Sequence, residues 1–384
     1  MAPMNLKSSR FASLAAALLL GTVALPILSG CGGGSGDAAA DSSGEDGRRV
    51  VVPADLNPAS RILINELFDN REAMGETRAL LILRNGEPVY EAYGPGYGPD
   101  SRLISWSMAK SITSVLIGIL VSDGRLVLDD PAPVPAWQRP GDPRGTITLR
   151  HLLNMASGLE HVEVAPKAWE ADTVAMLFGD GAQDMAAFAE AKPPVAAPGE
   201  QFVYSAATSV ILSDIIARAL TESEVPEVRR EAVRNFIEGR LSGPLGMRSL
   251  TPEFDAHGTM IGGSVMHATA RDFAKFGEFL RRRGETPDGR RLVPERWIDF
   301  MLTSSPANAG YGGHIWLNRS QPGVESALWA DRGPDDLFAC LGHQGQFIIV
   351  SPRAGLTIVR LGISTDDEQL PAVRDTLRRL TTAI

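Results

Sequence analysis

The sequence predicts an α+β protein whose antiparallel sheet is formed by both ends of the chain, with helices flanking it and a mostly helical region inserted between them. Strand patterns with turn signals occur near residue 80 and again near residue 350, whereas the region from about 125 to 330 follows mostly helical spacing. The chain has 384 residues, 44% hydrophobic and 22% charged, so it can bury a large core.

The first 31 residues have the composition of a secretory signal. Lys7 and Arg10 precede an apolar stretch over residues 11–28, and small residues follow before Cys31. A plain transmembrane anchor is the alternative, but the stretch contains Pro26 and is short for a membrane span. We therefore divide the chain into a signal peptide over residues 1–31, a small and polar flexible linker over residues 32–49, and one folded domain over residues 50–384.

The end of the signal, Leu28-Ser29-Gly30-Cys31, resembles the lipobox of bacterial lipoproteins. The resemblance implies that Cys31 is lipidated and becomes the first residue of the mature protein. Gly32, rather than an aspartate, follows the cysteine, which implies anchoring in the outer membrane facing the periplasm. We therefore expect an exported protein that its N-terminal lipid holds to the cell envelope.

The first elements of the domain are a helix and a hairpin. Residues 55–70 carry apolar side chains at helical spacing. The apolar runs Ala79–Leu83 and Val89–Tyr93 flank Asn85-Gly86, and Asn-Gly between two such runs is a strong hairpin signal. This hairpin supplies the N-terminal part of the predicted sheet.

The middle of the chain is predicted to consist of helices joined by long Pro- and Gly-rich loops. One helix begins near Ser107 and runs to about Ser122, and it is apolar nearly all round, which predicts a central position. Further helices are expected after Thr148, over about residues 205–220, and after Thr269, which with the aspartate three residues on has the spacing of a capping box.

Strand patterns return near the C-terminus. Gln346–Val350 and Leu356–Leu361 are apolar runs separated by the turn residues 351–355, and a last helix is expected over about residues 368–382. Because strands occur at both ends and helices between them, the two ends are expected to pair in one sheet.

The candidate chemistry lies at the start of the central helix, where Ser107-Met108-Ala109-Lys110 forms an S-x-x-K sequence. Residues i and i+3 share a helix face. A serine hydroxyl is a poor nucleophile at neutral pH, and Lys110 can serve as its base if burial lowers the pKa of the amine. At a helix start, backbone N–H groups also point at a developing oxyanion. Because so short a pattern arises by chance, it needs support from the rest of the chain.

Charge and composition argue against several classes of function. The formal net charge of -9 argues against nucleic-acid binding, which requires cationic partners for the phosphates. The histidines show no paired ligand spacing and the glycine pairs are not phosphate loops, so we expect no metal and no other cofactor. Cys340 lies in an apolar run and is expected to be a buried side chain.

Several further motifs follow Ser107 in a definite order. They are Asp123–Pro131, Thr148–Leu159, Pro198–Ser205, Pro244–Met247, Ala268–Asp272 and His343–Gln346. In this order they resemble the serine β-lactamase and penicillin-binding-protein superfamily, specifically the branch of class C β-lactamases, esterases and 6-aminohexanoate-dimer hydrolases. The resemblance covers about residues 58–380 and implies a β-lactamase/transpeptidase-like fold.

The resemblance also implies roles for individual residues. Ser107 would be the nucleophile and Lys110 its base partner. Tyr204 stands where the family has the tyrosine of its Y-x-N element, and there it would relay the proton between Ser107 and the leaving group. The reaction would be acylation of Ser107 followed by hydrolysis of the acyl-enzyme.

His343-Gln344-Gly345 stands where many members have K-T-G. This strand would line the cleft, and the backbone N–H of Gln346 would be the second oxyanion donor beside that of Ser107. Two residues depart from the family pattern, since Ala206 replaces the asparagine of Y-x-N and His343 replaces the lysine of K-T-G. In β-lactamases those residues hold the amide and the carboxylate of the substrate, so the departures weaken a β-lactamase interpretation and leave acyl transfer intact.

The expected function is therefore hydrolysis of small esters or linear amides, as in 6-aminohexanoate-dimer hydrolases and related esterases. One alternative is a D,D-peptidase or β-lactamase that acts on cell-wall peptides or β-lactams. Another is a catalytically silent member of the fold that binds cell-wall fragments or a sensor partner. A silent protein would be free to lose Ser107, Lys110 or Tyr204, and all three are present. The natural substrate, the oligomeric state and the choice between Lys110 and Tyr204 as kinetic base stay open.

Overall fold

The computed structural model describes residues 42–43, 47–52, 56–322, 327–330, 332–365 and 367–384. The predicted signal peptide, with Cys31, and most of the predicted linker lie outside these residues. Within them, no helix is both long enough and apolar enough to span a bilayer.

The strands fall into two groups near the chain ends and a few short pieces between them. In chain order they are β1 (Ser42–Ser43), β2 (Arg49–Val52), β3 (Glu76–Arg84), β4 (Glu87–Tyr93), β5 (Leu103–Ile104), β6 (Thr251–Pro252), β7 (Met266–Ala268), β8 (Trp316–Leu317), β9 (Phe338–Gly342), β10 (Gln346–Ser351) and β11 (Leu356–Ile363).

The helices fill the middle of the chain and cover the sheet. In chain order they are α1 (Pro58–Asp69), α2 (Arg71–Met74), α3 (Ala109–Ser122), α4 (Leu149–Leu153), α5 (Asp172–Phe178), α6 (Met185–Glu190), α7 (Ala206–Leu220), α8 (Pro226–Ile237), α9 (Gly243–Leu245), α10 (Ala270–Arg281), α11 (Glu295–Met301) and α12 (Gln369–Ala383). Single turns of 3-10 helix lie at Trp106–Met108, Pro135–Trp137, Pro143–Thr146, Ala168–Glu170 and Asp180–Gln183, and a π-helical turn lies at Glu238–Ser242.

The large sheet has the strand order β1-β2-β4-β3-β11-β10-β9-β8 in the described residues, and every pairing is antiparallel. Strands β3 and β11 join the two chain ends, with a register that runs from Leu356 opposite Arg84 to Ile363 opposite Glu76. The predicted α+β fold, with one antiparallel sheet built from both ends of the chain, is therefore confirmed.

The predicted hairpin is formed by β3 and β4. Both of its turn residues have positive φ, 54° at Asn85 and 90° at Gly86, which is the two-residue geometry that Asn-Gly favours. Strand β3 is buried on both faces: Leu81 and Leu83 face the core that contains α3 and α10, whereas Leu80 and Ile82 face the core that contains α1 and α12. The sheet is thus the middle layer between two sets of helices.

The predicted helices form, with differences at their ends. Thr269 caps α10 by accepting the Asp272 N–H at 3.2 Å, but the reciprocal half of the predicted capping box is wrong. The Asp272 carboxylate instead accepts hydrogen bonds from the N–H and the hydroxyl of Ser249, at 2.8 and 2.6 Å. A reciprocal capping box occurs at α4, between Thr148 and His151. A tertiary partner therefore outcompeted the local pattern at Asp272.

The central helix α3 lies where its composition predicted, with residues Ala109–Leu120 buried on all sides. Gly118 allows the Trp297 indole to pack directly on the helix backbone, because a Cβ there would overlap the ring. A small sheet of order β5-β7-β6, which the sequence did not predict, lies directly before the Ser107 turn and supports it.

Candidate active site

Ser107 lies in the 3-10 turn Trp106–Met108, directly before α3. Trp106 has a φ of 44°, a left-handed conformation that costs a residue with a Cβ about 1–2 kcal/mol. Ser105 holds the turn against β7, because its N–H donates to the Met266 carbonyl at 2.8 Å and its Oγ accepts the Met266 N–H at 3.1 Å. These bonds fix a strained turn that places the Ser107 hydroxyl at the start of the central helix.

Lys110 is only 1% exposed, and its ammonium group lies one turn after Ser107. Its Nζ donates to Ser107 Oγ at 3.1 Å and to the Gly263 carbonyl at 2.6 Å, and it lies 4.7 Å from the centre of the Tyr204 ring. Burial lowers the pKa of Lys110 to about 8, although the negative charge of Glu163 acts in the opposite direction. A substantial neutral fraction is therefore accessible near physiological pH, as a general base requires.

Tyr204 lies beside both groups, directly before the Ser205 cap of α7. Its ring packs between Trp316 and Tyr311, with centroid distances of 5.3 and 5.9 Å. Burial raises the pKa of the phenol, while its contacts with the side chains of Ser107 and Trp316 act in the opposite direction. The phenol is therefore protonated at neutral pH and can donate its proton to a neighbouring group.

Gly263 is a site residue that the sequence analysis missed. The pair Gly262-Gly263 lacks the sequence of a phosphate loop, and its function is instead structural, since the Gly263 carbonyl accepts the hydrogen bond of Lys110 Nζ. The Gly262 carbonyl accepts the Thr113 hydroxyl at 2.9 Å, and a Cβ on Gly263 would lie 2.7 Å from the Ala206 carbonyl oxygen. Two adjacent glycines therefore permit a close approach of this backbone to α3 and α7.

Glu163 is the second site residue that the sequence analysis missed. Its Oε2 accepts hydrogen bonds from the Ala206 N–H at 2.7 Å, the Thr173 hydroxyl at 2.7 Å and the His161 ring at 2.8 Å. Burial acts to raise its pKa, but the charge of Lys110 and the hydrogen bonds from His161 and Ala206 lower it to about 2. The group is ionised at neutral pH. It lies on a long loop after α4, and no local pattern marks it as a neighbour of Lys110.

The strand predicted to line the site begins at the turn between β9 and β10. His343 is exposed there, and its ring lies edge-on to Trp106 with centroids 5.5 Å apart. Gln344 and Gly345 have φ values of 59° and 82°, so this turn reverses the chain within two left-handed residues. The structure therefore places the His343–Gly345 turn beside the turn that carries Ser107.

Gln346 begins β10 and is buried. Its side-chain amide donates to the carbonyls of His343 at 3.0 Å and Gly362 at 2.7 Å, and its Oε1 accepts the Gly362 N–H at 3.0 Å. Gly342, opposite Gln346 in the sheet, packs on the Ser105 carbonyl with no room for a Cβ. The start of β10 is thereby held at the Ser107 turn.

Arg360, in β11, supports the same turn and is a further residue that the sequence analysis missed, because its position follows an ordinary strand pattern. Its guanidinium is fully buried and donates to the Gly345 carbonyl at 2.8 Å. Further acceptors include the carbonyls of Met74 and Glu76 and the hydroxyls of Thr77 and Ser364, at 2.9–3.3 Å. Arg360 thus ties the turn to the N-terminal half of the sheet.

The arrangement suits acyl transfer. It combines a hydroxyl, an amine of lowered pKa at hydrogen-bond distance, and a phenol beside both. Among the residues that the structure describes, no group of three or more His, Cys, Asp or Glu side chains could hold a metal ion. Cys340 is buried as predicted, and burial raises the pKa of its thiol to about 12.

Known proteins share both the sequence pattern and the fold. The chain is 25% identical over 335 residues to a 6-aminohexanoate-dimer hydrolase of Paenarthrobacter ureafaciens, an alignment that covers 84% of this chain and 82% of that protein. A penicillin-binding protein homologue from Caulobacter crescentus superposes with a TM-score of 0.59 at 17% identity, over 87% of this chain and 99% of that one. A family VIII carboxylesterase superposes with a TM-score of 0.60 at 15% identity, over 86% and 98%.

The match to a protein family extends over nearly the whole described domain. The family described as Beta-lactamase matches residues 71–383, which include Ser107, Lys110, Tyr204 and the His343–Gln346 turn. The resemblance inferred from the order of the motifs is thereby confirmed. The chain belongs to the beta-lactamase family, whose members include serine hydrolases.

Proposed function

We propose that the protein is a serine hydrolase that forms an acyl-enzyme at Ser107 and acts on small esters or linear amides. The observation that carries the proposal is the 3.1 Å hydrogen bond between Ser107 Oγ and the buried Lys110 Nζ, with Tyr204 beside both. The names of the 6-aminohexanoate-dimer hydrolase and carboxylesterase relatives support this substrate class.

In the proposed reaction, Ser107 Oγ attacks the carbonyl carbon of the substrate while its proton passes to neutral Lys110. The N–H groups of Ser107 and Gln346 would stabilise the oxyanion of the tetrahedral intermediate. Tyr204 would donate its proton to the leaving group as the bond to that group breaks and would take up the proton held by Lys110, so that the phenol is protonated and the amine neutral again. Water would then attack the acyl carbon with the same groups acting in reverse, which regenerates the Ser107 hydroxyl.

Two positions favour esters and simple amides over β-lactams. Ala206 offers only its backbone N–H, which is already bonded to Glu163, and His343 is exposed on the turn in place of a lysine. Charge-assisted contacts to substrate are worth about 1.5–3 kcal/mol each, so their absence would lower affinity for carboxylate-bearing β-lactams. A D,D-peptidase or β-lactamase, and a silent binding protein, are the alternatives that the experiment below separates.

The test is labelling of the folded domain with a fluorophosphonate and, separately, with a labelled penicillin, followed by mass analysis of the Ser107 peptide. We expect the fluorophosphonate adduct at Ser107 and turnover of a short-chain nitrophenyl ester, both abolished in Ser107→Ala. Penicillin labelling without ester turnover would support the cell-wall alternative. Folded protein without an adduct from either reagent would support the silent alternative.

We also propose that the protein is exported and held to the outer membrane through lipid on Cys31. The apolar segment and the Leu28–Cys31 sequence support this proposal. Cells fed an alkyne-tagged fatty acid should label the wild type, and Cys31→Ala should lose both the label and sedimentation with membranes. Equal labelling of the Cys31→Ala variant would contradict the assignment.

A further inference from the structure

The reaction proposed above creates a positive charge on the buried side chain of Lys110. When Lys110 receives the Ser107 proton, its amine becomes an ammonium that is 1% exposed and has two oxygen partners, Ser107 Oγ and the Gly263 carbonyl. An isolated buried cation is strongly disfavoured. A nearby negative charge would therefore lower the barrier to this proton transfer.

The groups around Lys110 offer one strong candidate for that charge. Tyr204, from the segment before α7, is protonated because burial raises its pKa. His314 is hydrogen-bonded to Ser111 of α3 and Ser209 of α7, and it is neutral because burial lowers its pKa to about 3. Glu163 is the carboxylate whose charge acts on Lys110, and it is ionised at neutral pH.

Glu163 is also held in a fixed position. Its three donors come from the backbone of Ala206 at the start of α7, from Thr173 in α5 and from His161 two residues earlier on the loop. His161 in turn lies 3.9 Å from Asp172, which pairs with Lys192. Three donors therefore favour this position of the carboxylate whether Lys110 is neutral or charged.

The bond to Ala206 connects Glu163 with Tyr204 as well. Ala206 is the first residue of α7 and comes two residues after Tyr204. A carboxylate is stabilised at a helix N-terminus, where unpaired N–H groups and the helix dipole favour negative charge. By holding this N–H, Glu163 fixes the backbone that carries the Tyr204 ring over Lys110 Nζ.

We propose that Glu163 is a positioning residue for the Ser107–Lys110–Tyr204 set, serving both as the counter-ion of Lys110 during acylation and as the anchor of the Tyr204–Ala206 segment. The inference rests on the proposed acyl-enzyme function. The Glu163 carboxylate itself exchanges no proton or bond with the substrate, because it acts through Lys110 and through the α7 backbone.

The test compares Glu163→Gln with the wild type by the rate of fluorophosphonate labelling of Ser107 between pH 6 and 10. Glutamine keeps an oxygen acceptor and removes the charge. We expect the pH midpoint of the wild type, near the Lys110 pKa of about 8, to fall by about one pH unit in the variant, because an ammonium without its counter-ion loses its proton more easily. We also expect the plateau rate to fall about tenfold.

Two control variants separate charge from position. Glu160→Gln removes an exposed carboxylate three residues earlier on the same loop and should change neither the midpoint nor the plateau. Thr173→Val removes one donor to Glu163 and keeps the charge, so it should lower the plateau slightly and leave the midpoint near that of the wild type.

The outcomes distinguish this inference from the proposed function. A wild type that is not labelled at Ser107 would overturn the function itself. A labelled wild type with an unchanged midpoint in folded Glu163→Gln would overturn the counter-ion role, whatever the plateau. A shift of equal size in Glu160→Gln would show a general effect of loop charge and would also overturn it.

Discussion

Lys110 and Arg360 are both buried cations, but the surrounding protein solvates them differently. Lys110 is 1% exposed and donates to two oxygens, one of which belongs to Ser107, the proposed nucleophile. Arg360 is 0% exposed and donates to carbonyl and hydroxyl oxygens from β3, the β9–β10 turn and the ends of α2 and β11. The two cations are equally buried, but Arg360 has more protein oxygens in place of its hydration water than Lys110 has.

The difference separates a chemical role from a structural one. Burial lowers the pKa of Lys110 to about 8, within reach of the neutral amine that a base must provide. Burial also lowers the pKa of Arg360, to about 9, and the guanidinium stays charged at neutral pH while it holds the turn next to Ser107. Lys110 is therefore the cation placed for proton transfer in the proposed reaction, whereas Arg360 supports the turn.

Replacing Lys110 should give the largest change in activity. We expect Lys110→Met to lower kcat/KM for a nitrophenyl ester by about 10²–10⁴-fold, because Ser107 loses its base. Removing the desolvated ammonium favours folding, but the Glu163 carboxylate loses its counter-ion and the Gly263 carbonyl loses its donor. The folded state of the variant is therefore checked by circular dichroism before its activity is compared. Lys167→Met, on an exposed side chain, is the matched control and should keep wild-type activity. Retention of more than a tenth of the activity by Lys110→Met would exclude Lys110 as the base.

Replacing Arg360 should instead give the largest change in stability. Arg360→Met leaves several buried oxygens without donors, and we expect the free energy of unfolding in urea to fall by about 3–5 kcal/mol. Arg353→Met is the control, because Arg353 pairs with Asp335 and Asp336 at the surface and its loss should cost less than about 1 kcal/mol. Similar losses in the two variants would mean that the oxygens around Arg360 give no special stability.

The pH dependence of the free energy of unfolding should also report the lowered pKa of Lys110. Its pKa is about 8 in the folded protein and 10.5 in the reference state, so between these pH values the unfolded chain binds a proton that the folded chain has released. Stability of the wild type relative to Lys110→Met should therefore rise by about 3 kcal/mol from pH 8 to 10.5, and stay level below pH 8. Urea unfolding of both proteins across this range measures the difference, and a flat difference would contradict the lowered pKa.

The contrast between these two cations also shows how far sequence reasoning reaches. The Ser107–Lys110 pair could be predicted because it is local, with i and i+3 on one helix turn, and Tyr204 because its motif falls in a known order. The hairpin at Asn85-Gly86 and the sheet shared by both chain ends follow from turn chemistry and apolar periodicity. All of these depend on neighbours in the chain or on the order of motifs.

The missed residues act over long sequence separations. Glu163 reaches α7 from a loop, and Gly263 reaches Lys110 from the segment before β7. Arg360 occupies one position in an otherwise regular strand, and three of its acceptors, in Met74, Glu76 and Thr77, lie hundreds of residues away. Nothing in the local pattern distinguishes these residues from ordinary loop, turn and strand positions, because tertiary packing determines their partners.

A third cation, introduced at the surface by His343→Lys, should have the smallest effect on stability and activity. His343 is exposed on the β9–β10 turn, where the family resemblance implies the lysine of K-T-G. In His343→Lys the ammonium would stay hydrated, so we expect stability to change by less than about 0.5 kcal/mol. An exposed ion pair is worth about 0.2–1 kcal/mol, so a carboxylate-bearing ester should gain at most about fivefold in kcat/KM, through KM.

The control for this variant is a neutral ester of the same length, whose kcat/KM should be unchanged. His343→Ala should leave kcat for both esters near the wild-type value, because the turn geometry depends on Gln344, Gly345 and Arg360 rather than on the imidazole. A large fall in kcat for both esters in His343→Ala would instead show that the imidazole acts on the reacting atoms. His343 would then take part in the reaction, as is proposed for Lys110, rather than only in the structure of the turn.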